Sequence, residues 1–211
     1  MKKIAAVLLV LAVTLGMVAC TSDKDVRGTK STVSMGETEG NKYESKFIGI
    51  GFNLPSGWTF YTDEQIRALN NATADMMDDK YAEQIKKADI IYDMMAIQTT
   101  TGNSVNINLE KASALGATIT SEETYVKNGM SSVKQALESM GATNVTAKQT
   151  KVKLAGESLH AIELTMKING VAFYEKVICK KVGNYFACIT VGTTGSDQTE
   201  SVISQFYSLK K

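Results

Sequence analysis

The sequence predicts an α+β domain, an antiparallel sheet with helices packed on its faces. Short alternating apolar runs are joined by tight turns such as Asn169-Gly170 and Gly183-Asn184, the pattern of hairpin-linked antiparallel strands. Residues 120–141 instead repeat apolar side chains every three or four positions, which is the helical period. A helix with one apolar face must bury it, and a sheet supplies the surface.

The chain opens "MKKIAAVLLVLAVTLGMVAC". Lys2 and Lys3 precede an apolar run from Ile4 to Val13, and small residues lead to Cys20. That is the layout of an export signal over residues 1–19, too short to span a bilayer comfortably. Met17-Val18-Ala19-Cys20 resembles a bacterial lipobox, with Met17 in place of the more usual Leu. The resemblance implies a diacylglycerol thioether on Cys20, cleavage before it and acylation of its new amino group. Two or three acyl chains hold a protein stably, where one would not. Residues 20–42 then read as the lipidated cysteine and a flexible tether, rich in Ser, Thr, Gly and balanced charge. As a coil it would hold the domain roughly 25 Å from the lipid, and roughly 70 Å when pulled.

The folded domain is expected over residues 43–211. Ile48, Ile50, Phe52 and Leu54 alternate as a strand, Pro55-Ser56-Gly57 turns the chain, and Trp58 and Phe60 resume the apolar face. Thr62 and Gln65 form a capping box ahead of a helix bearing Ile66 and Leu69. A second short helix is expected near residues 79–88, with Tyr81 and Ile85. Residues 89–112 read as a hairpin bent at Thr101-Gly102-Asn103, with Val105, Ile107 and Leu109 on one face and Asn106 and Asn108 on the other. The long helix starts on a second capping box, Thr120 and Glu123. It carries Val126, Met130, Val133, Leu137 and Met140 on its apolar stripe and stops at Gly141. A four-strand meander fills residues 144–192, and a closing helix places Val202, Ile203, Phe206 and Leu209 together.

Composition excludes some functions. Lys and Arg total 23 against 22 Asp and Glu, with no basic stripe, which argues against a nucleic-acid partner. The one histidine, His160, falls in a predicted strand, and no nucleophile elbow, phosphate loop or zinc-protease motif occurs. No catalytic residue and no cofactor is therefore predicted. Asp75, Asp78, Asp79 and Glu83 lack the spacing of a calcium loop and read as a solvated helix face. The pairs Met76-Met77 and Met94-Met95 suggest a soft metal, but adjacent residues point to different faces, so one of each pair reads as core filling. Trp58, Tyr61, Tyr81 and Tyr92 could line a cleft for a sugar, but read better as one core Trp with amphipathic tyrosines.

One constellation is sharper. Two-residue loops at 169–170 and 183–184 would set His160 opposite Cys179, Glu163 opposite Lys176, and Cys179 opposite Cys188. The cysteines would form a non-hydrogen-bonded pair, the closest antiparallel approach, and an exported protein meets an oxidising compartment. A Cys179–Cys188 disulfide is expected. The weaker alternative is a partial zinc or copper site of His160, Cys179 and Cys188, for which no fourth ligand is visible.

The run Tyr43-x-Ser45-x-x-x-Gly49-Ile50-x-Phe52-x-Leu54-Pro55-x-Gly57-Trp58, with the order of elements, resembles the PsbP-like family over residues 43–211. The resemblance implies a compact α/β/α sandwich found in photosystem accessory subunits and bacterial lipoproteins. It brings no catalytic residues, and a shared fold does not fix a task. The expectation is a lipid-anchored extracytoplasmic binding or accessory protein of the cell envelope, not an enzyme. It would sit on the outer face of the bacterial cell membrane, or on an outer membrane where the cell has one. Its partners would be the membrane, through Cys20, and envelope proteins, with a small ligand as a further option. The alternatives are an envelope enzyme using carboxylates and a metal-handling lipoprotein with a His/Cys site.

Overall fold

The structure, a computed structural model, describes residues 33–66, 68, 90–112 and 121–209. Among these residues the strands form two sheets, antiparallel throughout. The small sheet holds β1 (Glu37–Glu39), β2 (Lys42–Ser45), β3 (Ile50–Asn53) and β11 (Phe206–Ser208), in the order β1-β2-β3-β11. The large sheet is built from β4 (Trp58–Phe60), β5 (Ile91–Gln98), β6 (Ser104–Lys111), β7 (Thr143–Leu154), β8 (Glu157–Ile168), β9 (Val171–Val182) and β10 (Tyr185–Thr194). Its order is β4-β5-β6-β10-β9-β8-β7. Among the described residues, helices α1 (Glu122–Ser139) and α2 (Thr199–Ile203) accompany them, and residues 63–66 are helical as well.

The expected α+β class holds, with one difference in layering. Helix α1 lies across β7, β8 and β9 on one face of the large sheet. Among the described residues, the other face is covered by the small sheet, with α2 beside it. Two cores result. Tyr125, Val126, Val133 and Leu137 of α1 pack on Ile162, Leu164, Val177 and Phe186. Between the sheets, Tyr43, Ile50, Phe52 and Phe206 meet Ile107, Ile178, Ile189 and Val191.

Local chemistry explains the elements that were foreseen. The Thr62–Gln65 capping box forms in both directions, Thr62 N–H to Gln65 Oε1 at 2.8 Å and Gln65 N–H to Thr62 Oγ1 at 3.3 Å. Helix α1 ends in a Schellman motif, Ala142 N–H to Leu137 O and Gly141 N–H to Glu138 O, both 3.0 Å. Gly141, at φ 90°, takes the left-handed position that this motif requires. The hairpin at Asn169-Gly170 has φ of 51° and 81°, as a type I′ turn needs. The start of α1 differs by one residue: Ser121 is the cap, its Oγ accepting from Thr124 N–H at 3.2 Å. Thr120 lies outside the described residues.

Two segments depart from expectation. The closing helix stops at Ile203, and Phe206–Ser208 turns into β11 against β3. Phe206 then stacks on Phe52 with centroids 4.7 Å apart. Tyr207 lies over Gly51, where a Cβ would clash with its ring. Ordered structure also begins before Tyr43. Residues 37–39, expected in the tether, pair with β2, and Val33 packs on the inter-sheet core. The tether boundary at residue 42 is thus too late by about one hairpin. Cys20 and the predicted leader, Asp75, Asp78, Asp79, Glu83, Met76, Met77 and Tyr81 all fall outside the described residues.

Candidate functional site

The two sheets part at one end of the inter-sheet core. There the β2–β3 turn, the β9–β10 turn, Glu157 and residues 208–209 surround an open cavity of about 790 Å³, within the range of small-ligand sites. Its apolar wall continues the core: Ile48 is 3% exposed, and Phe47 and Val182 pack against the same cluster. Phe47 meets Tyr185 edge-on at 5.9 Å. Among the described residues Lys46, Lys180, Lys181 and Glu157 are its charged lining; Lys180 Nζ contacts Glu157 at 2.7 Å, and Lys181 Nζ lies over the Phe186 ring, 6.0 Å from its centroid. Gly49 and Gly183 line the mouth, and among the described residues nothing lies within 4 Å of where a Cβ of either would sit.

The strand register carries His160 opposite Cys179 and Cys179 opposite Cys188, as the turn lengths predict. The expected disulfide is absent. Both cysteines are free thiols, buried under α1. Cys188 Sγ instead lies 2.9 Å from the Tyr125 hydroxyl, whose ring stacks on Phe186 at 4.7 Å. Burial, and then the hydrogen bond to Cys188, push the Cys179 thiol up, which disfavours the reactive thiolate. A metal is not served either. His160 Nδ1 sits 3.4 Å from Gln149 Nε2, and among the described residues no three His, Cys, Asp or Glu side chains converge on a common point.

These thiols should be shielded but chemically free. In denaturant without reductant, peptide mapping after alkylation is expected to find both Cys179 and Cys188 modified. In the folded protein neither should react over the same interval. A need for prior reduction would instead restore the disulfide.

Glu163 and Lys176 face each other as expected but do not pair. Glu163 takes Lys148 at 2.7 Å, and Lys176 takes Glu200 of α2. Of the four aromatic residues considered for a sugar cleft, Tyr81 lies outside the described residues, and Trp58 and Tyr92 are not gathered. Trp58 packs toward the small sheet, whereas Tyr92 sits beside Asn108 on the opposite face. Met94 and Met95 do point to opposite faces, and both are buried.

One feature escaped the sequence. The side of β6 opposite its Val105, Ile107 and Leu109 is polar and fully buried: Asn106 is 3% exposed and Asn108 1%. Thr190 lies beside Asn106, and all three side chains have an oxygen without a hydrogen-bond partner. Further along this face Glu175 is 6% exposed, with Oε1 also unpartnered, and burial raises its carboxyl to about 8. Native interiors leave few such atoms, so a cluster of them is unusual.

No protein-family model matches the chain, and no curated protein matches it. Among solved structures it is similar to LpqN of Mycobacterium tuberculosis, a protein described as involved in cell envelope biogenesis. The TM-score is 0.39 and the identity 12%, over 75% of this chain and 82% of that one.

Proposed function

We propose that this chain is a lipid-anchored binding or accessory protein of the bacterial cell envelope, facing outward from the membrane and performing no catalysis. The observation that carries the proposal is Met17-Val18-Ala19-Cys20 behind a short apolar leader and ahead of a polar spacer. The arrangement of the domain supports it. A small sheet is clasped to a large one, and their shared core opens at one end into a cavity with basic and apolar walls. That is a concave surface suited to holding a partner or ligand. Residues 43–58 resemble the PsbP-like family, which points to the same accessory kind of task.

Metabolic labelling with palmitate tests the anchor. The chain is expected to take up label and fractionate with membranes. Cys20→Ala should lose the label and either leave the membrane or stall as the uncleaved precursor. An unlabelled, membrane-bound variant with a processed N-terminus would overturn the lipid anchor.

A further inference from the structure

We propose that two copies of this chain pair along β7, antiparallel and centred on Gln149, to make one continuous sheet. The edges of the two sheets are unequal. Strands β1, β4 and β11 have three residues each, whereas β7, the last strand of the large sheet, has twelve. Proteins keep an uncovered edge short, bulged or broken by proline. From Thr146 to Leu154, β7 has neither a proline nor a register shift. The two-residue loop Ala155-Gly156 makes Leu154 and Glu157 a hydrogen-bonded pair, and pair types alternate from there. Val152, Thr150 and Lys148 therefore bond to β8, while Lys153, Lys151, Gln149 and Ala147 turn their N–H and C=O outward. Among the described residues no further backbone bond meets these outward groups, and Gln149, Lys151 and Lys153 are exposed.

A second copy fits because the strand is complementary to itself. With Gln149 opposite its own copy, Ala147 faces Lys151 and Val145 faces Lys153, so each outward lysine meets an apolar residue and not another cation. Thr146 then faces Val152, and Lys148, joined to Glu163 at 2.7 Å, faces Thr150. Centring the pair on Lys148 or Lys151 would oppose a lysine to itself, and centring it on Ala147 or Thr150 would leave more of one end unmatched. The lysines thus select one register, and an isologous contact closes on two copies. Residues that face each other point to the same side of a sheet. Helix α1 of both copies therefore lies on one side, and both small sheets lie on the other. The described residues begin with Val33 on the small-sheet side, so both chains enter from one side, as two anchors in one bilayer need. The pairing itself does not depend on the anchor.

The test uses the full chain carrying Cys20→Ala, so that neither lipid nor a thiol at that position contributes. One strand pair buries less than a standard interface, so sedimentation is expected to find a dimer with a dissociation constant of about 10 μM. Gln149→Pro removes an outward N–H and none of the bonds to β8, and should weaken the dimer about tenfold or more while the domain still unfolds cooperatively. Under mild oxidant Gln149→Cys should cross-link two copies, because the facing residues lie about 5.5 Å apart between Cα atoms. Lys151→Cys should not, since in this register its copies lie roughly 13 Å apart. A chain that stays monomeric at about 100 μM, or a Gln149→Pro variant that dimerises like the parent, would overturn the proposal. Cross-linking through Lys151→Cys and not through Gln149→Cys would overturn it too, as would a Gln149→Cys adduct formed only with a different protein. Should Gln149→Pro unfold the chain, the two cysteine variants still decide the matter. A monomer with palmitate labelling intact at Cys20 would leave the anchored-protein reading standing, and a dimer of an unlabelled chain would remove only the anchor.

Discussion

Between about pH 5 and pH 8 the folded domain is expected to lose on the order of 3 kcal/mol of stability through one side chain, Glu175. In the fold, burial raises this carboxyl from the ordinary 4.5 to about 8. Its neighbours across the sheet are Gly192 and Leu164, and among the described residues no cationic side chain lines the small chamber beside it. Ser104 and Thr194 contribute the other polar groups there, and the space of about 10 Å³ is near the minimum for one water. A raised acid binds its proton more tightly folded than unfolded. Its contribution is therefore fully present below about 4.5 and is lost as pH climbs toward 8, at about 1.4 kcal/mol per unit. Above 8 both states are ionised and this term stops changing. Urea unfolding at pH 5, 6.5 and 8 measures the slope. Glu175→Gln should flatten it while keeping the shape of the side chain. A slope that survives the substitution would assign the pH dependence elsewhere.

Glu175 also illustrates what a linear sequence conceals. Alternation along β6 and β9 says which side chains share a face, but not whether that face meets water. Asn106 and Asn108 alternate with the apolar set of β6, and both are interior. The meander was legible because two-residue loops leave little freedom. Once Asn169-Gly170 and Gly183-Asn184 are recognised, every opposing pair from His160 to Cys188 follows by counting. Helix α1 was legible through its period and its glycine stop. In the small sheet the alternation of Ile48, Ile50, Phe52 and Leu54 marked β3, whereas β1 and β11, at three residues each, are too short to show a period of two. Phe206 and Leu209 happen to fit a helical spacing as well. The cavity between the sheets has no local signature at all. Its walls come from the 46–49 turn, Glu157, the 180–183 turn and residues 208–209, which only tertiary pairing brings together.

The second large effect is expected at Asp93. It sits where the β5–β6 register slips, between Tyr92 and Met94, and the slip frees its carboxylate to reach the small sheet. Asp93 Oδ2 accepts from the Tyr43 hydroxyl at 2.6 Å, and Oδ1 accepts from Gly36 N–H at 2.6 Å. Tyr43 is fully buried, and its ring lies so close to Gly36 that a Cβ there would clash. Burial, then the Asp93 charge and hydrogen bond, keep that phenol well above its usual range, so it remains a donor. Asp93→Ala removes two charge-assisted bonds and strands a buried hydroxyl, a loss of about 3 kcal/mol. Tyr43→Phe removes one bond and the stranded group together, and should cost less. The double variant should fall short of the sum by about 1 kcal/mol or more, since the residues share one contact. Strict additivity in urea unfolding would mean that the bond contributes nothing. The same clasp explains why a chain beginning at residue 41 should be less stable than one beginning at residue 21, by more than about 1 kcal/mol. It would lack Gly36, β1 and the contact of Val33 with the core. Val33, Gly36 and β1 thus tie the start of the described residues to both sheets.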